Sequence, residues 1–359
     1  MRIGIFCTNN FTYPLPEGVI YANQSVAGAL ADALAERGED VTLFAPEGSI
    51  TKAKLINFGM KPYSDSTVHS KYSDSYFYEH IMVAKIFRYA LKNKLDIIHA
   101  HLRPFSVIPA AAVSGVKTLL TIHDNLYYPA YESLSLSYEF KNIQYVALSE
   151  AHRRTRTDAP WAGVVHNGID LEKWRYNQGR GECPECSGCS GYLCFVGRLM
   201  PDKGVDVAVR VALQTGLPLK IAGSIYNEDK EFYETKVKPN LSEQIEYLGS
   251  IGPKEVEKLY RGALALLMPI SWEEPFGLVM IEAMACGTPV IAFNRGSVPE
   301  IVVDGKIGFI VKNEKLMVSA VKKIGTINRS KCREWVEEKF SVERMAENYL
   351  GLYSKLLKH

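Results

Sequence analysis

Apolar and polar positions alternate along this 359-residue chain in short blocks whose spacing predicts its elements. An apolar run over residues 2–8 predicts a first strand. Val26, Ala29, Leu30, Ala33 and Leu34 then recur at helical spacing until Arg37-Gly38, and residues 41–45 predict a second strand. Strand, helix, strand is a parallel crossover unit. The stretch 61–80 is polar and aromatic without a clear period and reads as a surface loop. A helix over 81–91 follows, then strands over 96–101, 118–122, 145–149 and 163–170, most of them ending in polar residues. After a break the pattern restarts, with strands over 193–196, 219–223, 245–249, 265–269, 289–293 and 308–311 and helices between most of them. A last helix, 342–357, puts Met345, Tyr349, Leu352 and Leu356 on one face.

This repetition predicts an α/β protein of two doubly wound, Rossmann-like domains. The first domain runs over 1–172, a Cys-rich linker over 173–192, and the second domain over 193–341, followed by the terminal helix at 342–359. The length agrees, since 359 residues exceed what one hydrophobic core usually supports.

Charge narrows the partners. With 42 basic and 40 acidic residues the net charge is +2, which gives no electrostatic case for nucleic acid. No apolar run reaches the roughly 20 residues of a membrane span, and the opening strand turns polar at Thr8-Asn9-Asn10, too soon for a secretory signal. A cytoplasmic location is expected. Lys85, Arg88, Lys92 and Lys94 make one helix basic, which allows contact with a membrane surface without indicating it.

Seven cysteines, an odd number, argue against a disulfide framework. Cys183, Cys186, Cys189 and Cys194 cluster in a Gly/Ser/Pro-rich stretch with the spacing of a thiolate knuckle, for which a structural zinc is the candidate metal. Against that, Cys194 falls inside an apolar run that reads as a buried strand, where a thiol is a small hydrophobe.

Candidate chemistry gathers around residues 274–287. Glu274 precedes, and Glu282 lies on, an apolar helix begun by Pro275 and Gly277 and stopped by Gly287. A helix start whose N–H groups face a pocket favours an anion, and a carboxylate on an apolar helix needs a partner. Arg198 and Lys203 flank a glycine-bounded turn that opens another helix, so two cations and free backbone donors converge where a diphosphate would fit. His123 sits just past the carboxyl end of a strand, the edge at which parallel sheets bind ligands. The first turn lacks Gly-x-Gly-x-x-Gly, which argues against a dinucleotide-dependent dehydrogenase; Gly18 alone offers close backbone approach there.

In order along the chain, Asn167-Gly168-Ile169-Asp170, Gly197-Arg198-Leu199 with Lys203-Gly204, Glu274-Pro275-Phe276-Gly277-Leu278 with Glu282-Ala283-Met284-Ala285, Gly287-Thr288-Pro289-Val290, and Pro299-Glu300 with Asp304-Gly305 and Gly308-Phe309 resemble the retaining glycosyltransferases of family 4. The resemblance spans nearly the whole chain. It implies the GT-B architecture, two Rossmann-like domains facing a central cleft with the C-terminal helix crossing back to the first.

The same resemblance implies transfer of a hexose-type sugar from a nucleotide-diphosphate sugar, UDP-linked before GDP-linked, to the hydroxyl of a sugar, a lipid-linked sugar or a small molecule. A phosphorylase acting on disaccharides and a non-catalytic sugar-nucleotide binder are the alternatives. Arg198 and Lys203 would hold the diphosphate and Glu282 the ribose. Glu274 and the amides of Phe276, Gly277 and Leu278 would meet the donor sugar, with His123 beside its hydroxymethyl group and Gly18 beside the phosphate. Gly223 and Ile251 complete the substrate-binding set, the 249–252 loop bearing on the base. No cofactor is required for this chemistry, and no Asp-x-Asp pair is present to hold a metal on the diphosphate. The family's paired glycines in the first loop are replaced by Pro16-Glu17-Gly18-Val19-Ile20.

Overall fold

The computed structural model describes residues 1–126, 129–176 and 191–358. Two compact units result, Met1–Gly168 with Val342–His359, and Ile169–Ser341.

The first unit runs β1 (Arg2–Phe6), α1 (Ala22–Glu36), β2 (Asp40–Phe44), β3 (Lys54–Ile56), α2 (Ser66–Lys71), α3 (Ser75–Asn93), β4 (Ile97–Ala100), α4 (Pro104–Ser114), β5 (Thr118–Thr121), a 3-10 segment (Pro129–Ser137), β6 (Ile143–Ala147), α5 (Glu150–Arg154) and β7 (Trp161–Val164). Its strands pair in parallel in the order β3-β2-β1-β4-β5-β6-β7. Strand order reverses between β1 and β4, so right-handed crossovers place α1 on one face and α3 and α4 on the other. On that second face Met82, Val83, Ile86 and Phe87 of α3 join Val107 and Ala111 of α4 and Leu134 in one buried cluster over the sheet.

The second unit runs β8 (Tyr192–Val196), α6 (Val205–Thr215), β9 (Leu219–Ala222), α7 (Lys230–Phe232), β10 (Ile245–Tyr247), α8 (Pro253–Gly262), β11 (Ala263–Met268), α9 (Leu278–Ala285), β12 (Val290–Phe293), α10 (Val298–Ile301), β13 (Gly308–Val311), α11 (Glu314–Val321) and α12 (Arg329–Lys339). Its order is β10-β9-β8-β11-β12-β13, again parallel, with the reversal between β8 and β11. The last helix, α13 (Val342–Lys358), belongs to the first unit. There Tyr353 Oη meets His99 Nδ1 at 2.6 Å, and Tyr349 Oη meets Thr121 Oγ1 at 2.8 Å.

Three differences from the sequence reading have local causes. The units divide between residues 168 and 169 instead of at 172, because the Ile169 amide donates to Phe340 O and buried Trp174 packs against Tyr260. The loop read over 61–80 holds α2 and the first turn of α3. Asp74 caps that helix by accepting from the Tyr76 amide, and Tyr78 extends the buried stripe one turn before Met82. The unread α4 has Pro104 in its first turn, Pro109 inside it and Gly115, at φ +67°, ending it; its uniformly apolar sequence offers no polar face to reveal a period.

Candidate functional site

In the second unit the loops after β8 and β11 meet where strand order reverses, the position at which open α/β sheets take ligands. Backbone contacts lock these loops together. The Ser271 amide donates to Asp202 O at 2.9 Å. Gly204, at φ +73°, passes so close that a β-carbon there would lie 2.2 Å from Pro269 O. The second loop is tied in turn to residues 295–297. Ser297 donates its amide to Glu274 O (2.9 Å) and its hydroxyl to Phe276 O (2.6 Å), while a β-carbon on Gly296 would fall 2.3 Å from both Glu274 N and O.

This scaffold fixes Glu274, whose residue is only 7% exposed. Its Oε2 accepts from Lys203 Nζ at 2.6 Å and from Trp272 Nε1 at 3.0 Å, and the ammonium also lies 4.5 Å from the Trp272 ring centroid. Both bonds fall on one oxygen. Gly277, at φ +82°, then turns the chain into α9, and no side chain caps that helix start. A β-carbon on Gly277 would meet Met280, Met268 and Glu274 side-chain atoms within 3.3 Å. The Phe276 ring is core, edge-on to Phe340. Glu282, one turn on and half-buried, accepts from Tyr260 Oη at 3.4 Å, and burial pushes its carboxyl up to about 7.

Arg198 is equally engaged. Its Nε donates to buried Asp229 at 2.5 Å and its Nη2 to Glu228 at 2.8 Å, with the guanidinium stacked 4.2 Å from the Tyr226 ring centroid. Both cations that sequence spacing assigned to a diphosphate are therefore already paired with carboxylates, so an anionic ligand has to compete for them. Gly223, at φ +154°, packs on the Gly197 carbonyl, accepts from Tyr247 Oη at 2.8 Å, and donates its amide to Gly249 O at 2.9 Å. That bond ties Gly223 to the loop carrying half-buried Ile251.

The remaining candidates lie in the first unit. His123 follows β5, and its Nε2 meets Nδ1 of buried His101 at 3.0 Å. Burial, with the nearby His152 charge second, lowers His123 to about 3, so the ring is neutral at physiological pH. Leu148 N donates to His152 Nδ1, which leaves Nε2–H to donate to Asp124 O at 3.0 Å. Gly18 sits in an exposed turn at φ +78° after β1, with nothing near its α-carbon face.

Cys183, Cys186 and Cys189 lie outside the described residues. Cys194 is fully buried in β8, its thiol donating to Ala265 O at 3.6 Å. Sequence reasoning missed Trp272, Asp229, Glu228 and Tyr226. Their signal was positional, for all four follow the carboxyl ends of β9 and β11 beside the motif residues.

Residues 189–340 match the family model for glycosyl transferases group 1, and residues 24–173 match that for glycosyltransferase family 4. Spore coat protein SA of Bacillus subtilis is 26% identical, covering 99% of this chain and all of that one. Among solved structures, sucrose-phosphate synthase from Thermosynechococcus elongatus aligns over the whole of both chains with a TM-score of 0.75 at 18% identity. Anabaena HepE in complex with UDP-glucose aligns over 99% of this chain and all of its own, with a TM-score of 0.71 at 16% identity. Two parallel sheets with flanking helices in this arrangement are the GT-B fold.

Proposed function

Because the chain belongs to the glycosyl transferases of group 1, we propose that it moves a hexose from a UDP-sugar, or failing that a GDP-sugar, to an acceptor hydroxyl with retention of configuration. The observation that carries this reading is Glu274, buried, held through one oxygen by Lys203 and Trp272, and set one turn before the uncapped start of α9. A carboxylate in that position accepts hydrogen bonds from sugar hydroxyls through Oε1. The amides of Gly277 and Leu278 supply fixed positive dipole where the leaving diphosphate gains charge. Lys203 and Arg198 add mobile counter-charge once the donor draws them from their carboxylates.

On this reading the bond from the anomeric carbon to the diphosphate oxygen breaks while the acceptor oxygen bonds to the same face. The acceptor proton passes to the departing phosphate oxygen. Glu282, on the second turn of α9, accepts from a ribose hydroxyl. Bound UDP-glucose in the aligned HepE structure supports UDP as the first donor to test. The acceptor is a sugar, a lipid-linked sugar or a small hydroxylated molecule.

The test is a thermal-shift panel of UDP-, GDP- and ADP-sugars, followed by NMR of the product anomer. A true donor at 100 times its Kd stabilises by about 2.7 kcal/mol, and the product keeps the donor's anomeric configuration. Inverted product, or stabilisation by no sugar nucleotide, would overturn the proposal.

A further inference from the structure

Exposed large apolar side chains should scatter singly over a protein surface, and here they do not. Of twelve such residues among those described, seven fall between Tyr76 and Leu136. All but Leu136 lie on α3 or α4 themselves, Tyr76, Phe77, Ile81 and Leu91 on the first, Phe105 and Val113 on the second, with Val113 92% exposed. The topology puts both helices, and the 3-10 segment that carries Leu136, on one face of the first unit's sheet. Between α4 and that segment runs a groove of about 270 Å³ lined by Phe105, Ile108, Leu134, Leu136 and Phe140, with no charged side chain on its walls.

Charge on the same face is one-sided. Phe77, Ile81, Lys85, Arg88 and Lys92 follow one stripe of α3 at four- and three-residue steps, all exposed. Lys94, also exposed, follows at the C-cap of α3, and Arg103 lies over the Tyr76 and Phe105 rings at the apolar end. The single acid of α3, Glu79, is turned inward and accepts from Ser106 Oγ at 2.7 Å, and α4 carries no charge at all. The acids beside the groove are Glu132 and Glu139. The whole chain, by contrast, is nearly balanced at +2.

We infer that the outer face of α3 and α4 is a membrane-docking surface that seats this unit on an anionic lipid headgroup layer. Apolar side chains flanked by long cations enter the headgroup boundary while the ammonium and guanidinium groups meet lipid phosphates. No described helix is long and apolar enough to cross a bilayer, so the contact is peripheral. A second copy of the chain fits this face less well, because a two-fold interface would set the basic stripe of α3 against itself. The inference is independent of the donor chemistry, since it is read by binding alone.

The experiment is co-sedimentation of the full chain with phosphatidylcholine vesicles and with vesicles containing about one-third phosphatidylglycerol. Binding to the anionic vesicles alone is expected, lost when salt cuts the Debye length from about 10 Å to about 3 Å. Combined Lys85→Glu, Arg88→Glu and Lys92→Glu should lower the partition coefficient roughly 100-fold. Val113→Ser with Leu136→Ser, at positions too exposed to disturb folding, should lower it about tenfold while leaving the sugar-nucleotide thermal shift unchanged. Failure to bind anionic vesicles, or equal binding by wild type and the charge-reversed variant, would overturn the inference. So would a vesicle-free dimer in sedimentation velocity that Leu136→Ser dissolves, which would give the face to a second copy.

Discussion

The two units share an all-parallel sheet with one reversal of strand order, yet they use that reversal differently. In the second unit the crossing loops carry charge. Lys203, Glu274, Arg198 and Asp229 are joined in ion pairs on a frame of glycines that touch backbone. In the first unit the corresponding edge carries neutral histidines, His101 and His123, and an exposed glycine turn. One site is tied by ion pairs and close backbone contacts, the other is built on neutral imidazoles and a loosely packed turn, a division that fits the proposed split between a half that stabilises a leaving group and a half that admits variable acceptors.

Acid should separate the units most strongly. His99 and His123 titrate near 3 in the folded first unit against an ordinary value near 6.5, because burial disfavours the imidazolium. Their lowered pKa means the unfolded chain binds protons first, so stability is full above about 6.5 and falls as pH drops toward 3. For fully buried His99 alone the loss is on the order of 5 kcal/mol. Glu282 works in the opposite sense. Its carboxyl is raised to about 7 by burial, so its effect on the second unit is stabilising below the usual carboxylate range and disappears as pH rises through 7, by no more than about 3 kcal/mol. Hydrogen exchange followed by unit between pH 4 and 8 should show the first unit loosening on acidification while the second tightens, and Glu282→Gln should flatten the second trend. Parallel behaviour of both units would break the contrast.

The glycines sharpen it next. Gly296→Ala places a methyl against Glu274 backbone at a positive φ and should cost about 3 kcal/mol or more. Gly18→Ala also meets a positive φ, +78°, but in open space, and should cost about 1 kcal/mol. Urea unfolding of the two variants measures the difference, and equal costs would mean the backbone lock around Glu274 is not tight.

The smallest effects belong to the acids that hold Arg198. Glu228→Gln removes an exposed pair and should change stability by less than about 0.5 kcal/mol, whereas Asp229→Asn, buried beside Nε, should change donor KM severalfold with little change in kcat. A large fall in kcat from Asp229→Asn would move that residue from positioning Arg198 to the chemistry itself.

These differences also explain what was legible in the sequence. The candidate site of the second unit announced itself because its chemistry is local. Gly277, Gly204 and Gly287 punctuate short turns, and Glu274, Glu282 and Lys203 keep fixed spacing to them. Both sheets followed from apolar runs, apart from the three-residue edge strand β3 and the bounds of β7, which ends at Val164. What stayed hidden depends on contacts across the sequence. Asp229 is 31 residues from the arginine it holds, Trp272 joins Lys203 only through folding, and Trp174 ties a presumed linker to the second unit. In the first unit, α4 is too uniformly apolar to show a period, and the docking face exists only once α3 and α4 lie on the same side of the sheet.

The central claim, that Glu274 serves the reacting sugar and not the binding of the nucleotide, is tested most directly by Glu274→Gln with donor affinity and turnover measured on the same preparation. Donor Kd within about threefold of wild type and kcat lowered about 100-fold or more is the predicted result. Turnover retained, or affinity lost in proportion to turnover, would contradict it.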